Sequence, residues 1–102
     1  MNYQEKVKQS KKILKTIKSL KPGDEFEITY GVDRDKKPRV FTIRAYNSFK
    51  DEIDYVIRDG RSYIGGQMNI DKISNTQMKA YSFDMMSNKT TYNFPLYLLN
   101  IV

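Results

Sequence analysis

The side chains in this chain best placed to do chemistry are its lysines. Residues 1–21 hold seven of them, Lys6, Lys8, Lys11, Lys12, Lys15, Lys18 and Lys21, against a single acid, Glu5. The remaining residues carry eleven basic and eleven acidic side chains, so the formal charge of +6 resides in the first fifth of the chain. Ammonium groups concentrated in this way attract polyanions, either a phosphate backbone or an acidic protein surface. The same pattern also makes a solvated face that keeps a domain soluble.

Catalytic chemistry is poorly supplied. The 102 residues include no His and no Cys. The common general base near neutral pH, the thiolate nucleophile, the disulfide and the usual zinc ligands are therefore missing. Asp33-x-Asp35 begins like a calcium loop, but Pro38 stands where that loop needs Gly, and Arg44 where it needs a bidentate Glu. Asp51, Glu52 and Asp54 form an acidic cluster, with Glu52 and Asp54 on one strand face. Two neighbouring carboxylates could serve a metal or an acid–base pair, but with Lys50 and Arg58 nearby the cluster reads as a solvated hairpin. Gly65-Gly66 lacks the Lys-Ser/Thr of a phosphate loop. The expectation is a protein that binds rather than catalyses, with no cofactor and no metal.

The lysines must be positioned by a helix from about Tyr3 to Leu20. Asn2 can cap it, with Glu5 in the capping-box position, and Lys21-Pro22-Gly23 stops it in a type II turn. At 100° per residue, Tyr3, Val7, Ile13, Leu14, Ile17 and Leu20 fall within an arc of about 140°. Lys8, Lys11, Lys12, Lys15 and Lys18 fall within a separate arc of about 120°. Lys6 alone strays into the apolar arc. Lys8 and Lys12, and Lys11 and Lys15, are like charges at i,i+4, so burial of the apolar arc must hold the helix together.

From Asp24 the period changes to two. Phe26, Ile28 and Tyr30 alternate with polar residues in a first strand. A polar loop over 31–38 leads to a second strand, Arg39 to Tyr46, with Phe41, Ile43 and Ala45 on one face and Val40, Thr42, Arg44 and Tyr46 on the other. A third strand, Glu52 to Arg58, turns Ile53, Tyr55 and Ile57 inward. Asp59-Gly60 is a hairpin signal. A fourth strand begins near Ser62 and carries Tyr63, Ile64, Met68 and Ile70, with a bulge or bend at Gly65-Gly66. Met78 to Met86 reads as a strand, with a helix over Asn75 to Met85 as the alternative. Ser87 to Thr90 turns the chain, Thr91 to Phe94 pairs back, and Leu96 to Val102 forms an edge strand or a short helical turn.

The expected fold is α+β, one domain over residues 1–102. A basic amphipathic helix (1–21) packs on a mostly β body (24–102), a curled antiparallel sheet of five to six strands. An SH3-like or OB-like small barrel is one form of this. No apolar run approaches a signal h-region or the roughly 20 residues of a membrane span, which predicts a cytoplasmic protein with no membrane partner.

The leading expectation is DNA or RNA binding, to the backbone or a single strand. Lys8, Lys11, Lys12, Lys15 and Lys18 are the phosphate contacts, and Arg44, Tyr46 and Arg58 are secondary candidates on a sheet face. The alternative is a protein-binding inhibitor or adaptor that meets an acidic surface on a nucleic-acid-processing enzyme. The Lys-rich first helix, the Pro22-Gly23-Asp24-Glu25-Phe26 opening of the first strand and the compact β body resemble small proteins of phages and mobile elements. That resemblance, which extends to anti-CRISPR proteins, implies nucleic-acid binding or inhibition of a host nuclease.

Overall fold

The computed structural model describes residues 1–60 and 66–102. Helix α1 spans Tyr3–Ser19 and starts where expected, with the Glu5 N–H donating to Asn2 Oδ1 at 2.9 Å. It ends in the predicted turn. The Asp24 N–H donates to the Lys21 carbonyl at 2.8 Å, and Gly23 sits at φ +96°, the left-handed conformation that a type II turn requires. The turn also docks the helix. The Gly23 N–H donates to the Ala45 carbonyl at 2.8 Å, and the Ala45 N–H to the Asp24 carbonyl at 3.1 Å.

Burial along α1 follows the apolar arc with two corrections. Ile13 and Ile17 are buried in the core, and Leu14 and Leu20 pack partly against it. Tyr3, expected in the arc, is 65% exposed, because the core cluster reaches the helix only from Ile13 onward. Ser10, in the middle of the same arc, is fully buried. Lys6 is accommodated there by placing its Nζ 5.0 Å from the ring centre of Tyr97.

Among the described residues seven strands follow: β1 (Glu25–Val32), β2 (Pro38–Asn47), β3 (Ile53–Asp59), β4 (Gln67–Ile73), β5 (Gln77–Phe83), β6 (Lys89–Pro95) and β7 (Asn100–Ile101). They form one antiparallel sheet in the order β6-β5-β4-β3-β2-β1-β7. The fold is α+β, as expected, with a helix on a curled sheet. The curl is large. Tyr30 of β1 meets Phe94 of β6 edge to face at 5.7 Å, although five inter-strand steps separate them in the sheet order. In a flat sheet those steps would span about 24 Å. The sheet is therefore a half-barrel whose concave face holds Ile28, Phe41, Ile43, Ile57, Met68, Met78 and Phe94.

Residues 77–83 are strand, not helix, and Met85 and Met86 lie in the turn after it. The last segment is both of the forms expected of it, a 3-10 turn at Leu96–Leu98 and then the edge strand β7. Ile53, expected inward, is exposed at the end of β3, beyond the cover of the core. Strands β3 and β4 stay paired out to the Asp59 N–H and the Gly66 carbonyl, so Asp59-Gly60 is not a two-residue turn. The strand start near Ser62, with Tyr63, Ile64 and Gly65, lies outside the described residues.

Three hairpins share one device. Asp33 Oδ1 accepts from the N–H groups of Asp35 and Lys37, Ser48 Oγ from Lys50 and Glu52, and Asp84 Oδ1 from Met86 and Asn88. The fourth residue of each turn, Lys36, Asp51 or Ser87, is left-handed. Asp33 Oδ1 is thus engaged by the backbone of its own turn.

Candidate nucleic-acid interface

The helix presents its lysines as predicted. Lys8, Lys11, Lys12, Lys15 and Lys18 are all exposed, while Ser10, Ile13 and Ile17 on the opposite side are buried. At 1.5 Å per residue, the stripe from Lys8 to Lys18 is about 15 Å long. Among the described residues, none of the five lysines forms an ion pair; the pair present is Arg39 with Asp59. At its edge, Lys12 borders a shallow hollow with Gln9, Tyr97 and Asn100.

Arg44, Tyr46 and Arg58 do share a surface. In the register of β2 and β3, Arg44 faces Val56, Thr42 faces Arg58, and Tyr46 faces Asp54. Arg44 and Arg58 line one shallow groove with Glu25 and Gln67. Desolvation raises the Tyr46 phenol above its ordinary pKa, and the negative charge of Asp54 adds to the shift. An acid beside this tyrosine makes it a poor neighbour for a phosphate.

The structure does not join this patch to the lysine stripe. Arg44, Tyr46 and Arg58 alternate with Ile43, Ala45 and Ile57, which are buried, and Ile43 and Ile57 share the core with Ile13 and Ile17 of α1. The arginine patch is therefore on the convex face of the sheet, and the helix is on the concave face. The lysines point away from the concave face in turn. The two groups are separate surfaces looking in opposite directions.

The structure also holds a polar site that the sequence reading passed over. Arg39 Nε donates to Asp59 Oδ2 at 3.1 Å, and Arg39 Nη2 donates to the same oxygen. The guanidinium carbon lies 5.0 Å from the ring centre of Phe41. The Arg39 side chain is 38% exposed and that of Asp59 12%. They lie in a cleft of about 370 Å³ on the concave face, between Tyr30, Phe41, Met68, Tyr92 and Phe94. A signal existed in the alternation. Arg39 is in phase with Phe41 and Ile43, and Asp59 with Ile57, so each places a charge on an apolar face. Asp59 was instead taken up by its turn-like neighbour Gly60.

Among the described residues, no helix is long and apolar enough to cross a membrane. No protein-family model, curated protein or solved structure matches this chain.

Proposed function

We propose that this chain is a small, non-catalytic, cytoplasmic nucleic-acid-binding protein that holds the phosphate backbone or a single strand on the lysine face of α1. One observation carries the reading. Five lysines line one exposed helix face with no acidic partner among the described residues, on a helix whose other face is needed for the core. The fold gains nothing from that arrangement, since each i,i+4 lysine pair costs a few tenths of a kcal/mol. Lysines supply strong, salt-sensitive attraction to phosphate and little sequence information.

A second reading is favoured by a different observation. Phe49, Phe83, Met85 and Met86 are largely exposed at or beside hairpin tips. Flexible Met and aromatic side chains in the open suit contact with a protein. On this reading the chain is an inhibitor or adaptor, and the lysine face meets an acidic surface of a nucleic-acid-processing enzyme.

A salt titration separates the two. Binding to single- and double-stranded oligonucleotides is measured between 50 and 500 mM salt. Three to five phosphate contacts give a slope of log K against log salt of about −2 to −4.5. The triple substitution Lys11→Gln, Lys12→Gln, Lys15→Gln should flatten the slope while leaving thermal stability unchanged or slightly raised. Absence of binding at the lowest salt would overturn the nucleic-acid reading and favour the protein partner.

A further inference from the structure

We propose that the Arg39–Asp59 cleft binds one unstacked nucleobase, a guanine by its donor pattern, from a single strand held by the lysine face. The proposal rests on the nucleic-acid reading for the source of the base. The cleft, about 370 Å³, is no larger than the hollow beside Lys12, so its lining and not its size carries the argument.

The cleft lies on the face of the sheet that α1 covers. The helix packs against the 3-10 turn that follows Pro95, at one end of the concave face. Tyr30, Asp59 and Ser82 lie near the opposite strand ends, where the described residues leave the concave face open as the cleft. Helix and cleft therefore occupy the two ends of one face, whereas Arg44 and Arg58 are on the other.

The chemistry of the floor selects the ligand. Asp59 takes the Nε side of the Arg39 guanidinium and offsets its charge. A second anion would meet that carboxylate, so a bare phosphate is disfavoured. Arg39 Nη1 and the other Nη2 hydrogen have no protein partner among the described residues. They make a parallel pair of donors on a guanidinium whose carbon lies 5.0 Å from the ring centre of Phe41. Two neighbouring acceptors on a planar neutral group match that fork, and guanine O6 and N7 are such a pair. The walls are a fixed ring cluster, with Phe94 edge to face against both Tyr30 and Phe41. Tyr92, 42% exposed at the rim, offers a ring for stacking.

The test uses 12-nucleotide oligothymidine probes that carry either one central guanine or one central abasic site, together with free guanosine monophosphate. The guanine probe should bind about 5- to 100-fold more tightly than the abasic probe. Arg39→Lys keeps an ion pair with Asp59 but lacks the fork, and should lose most of that ratio at an unchanged salt slope. Tyr92→Ala, at the exposed rim, should lower the ratio as well and replaces Arg39→Lys if that variant does not fold. The Lys11, Lys12, Lys15 triple variant should flatten the salt slope and keep the ratio. Equal binding of the two probes by the wild type, or a ratio unchanged in the Arg39 and Tyr92 variants, overturns the cleft proposal and leaves the lysine face standing. Binding of guanosine monophosphate alone, lost in the cleft variants, overturns the lysine reading and assigns the cleft to a free nucleotide. Binding of no probe overturns both.

Discussion

Ser10 sits in the middle of the buried stripe of α1 with its hydroxyl unbonded among the described residues. Serine is a mediocre helix former, and a buried hydroxyl without a partner costs about 1–3 kcal/mol. Ser10→Ala should therefore stabilise the protein by about 1 kcal/mol, read as a higher urea midpoint at the same m-value. A lower midpoint would mean that the hydroxyl bonds the backbone one turn earlier. Its place in the apolar arc was computable from 100° steps, but its burial without a partner was not. A serine can reach back to its own helix, and only the packed structure shows that this one does not. Arg39 and Asp59 teach a related lesson. Each was visible as a charge in phase with an apolar strand face, but the partnership depends on register between β2 and β3 and on the curl that turns both into one cleft.

The helix is where element-scale reading succeeded most. Its cap, its type II stop and its lysine and apolar faces all depend on residues within a few positions of one another, so spacing is sufficient to find them. Its attachment depends on Ile17, which is fully buried against the sheet. Ile17→Ala should cost about 2–5 kcal/mol, while truncating the half-exposed Leu98 should change little. Denaturant unfolding of the two variants checks this, and a cost below 1 kcal/mol for Ile17→Ala would mean that the helix is only loosely docked. The hairpins were legible as polar breaks, but their ends were not. The turn device at Asp33, Ser48 and Asp84 fixes where β2 begins and ends, where β5 stops and where β6 starts, because its side-chain bonds compete with ordinary strand pairing.

At the scale of the whole molecule, the cationic side chains divide between two sides of one sheet. The lysine stripe lies beyond the concave face, and Arg44 and Arg58 are on the convex face. If nucleic acid lies along α1, the double substitution Arg44→Gln, Arg58→Gln should leave the salt slope unchanged, in contrast to the lysine triple variant. A slope reduced by both sets would show that the strand wraps round the sheet edge. Strand alternation already put the two arginines opposite the apolar residues, and the helix has to cover those residues, so this division was within reach of the sequence. The sequence by itself determined the cationic helix, its stop, the alternating strands and the confinement of the net charge to residues 1–21. Those features arise from neighbours in the chain, where propensity and periodicity act directly. Only the tertiary structure decided the strand order, the curl that brings β6 to β1, and the cleft with its ion pair. These depend on pairings between distant segments, and their geometry exists only once the sheet has closed to a half-barrel around its core.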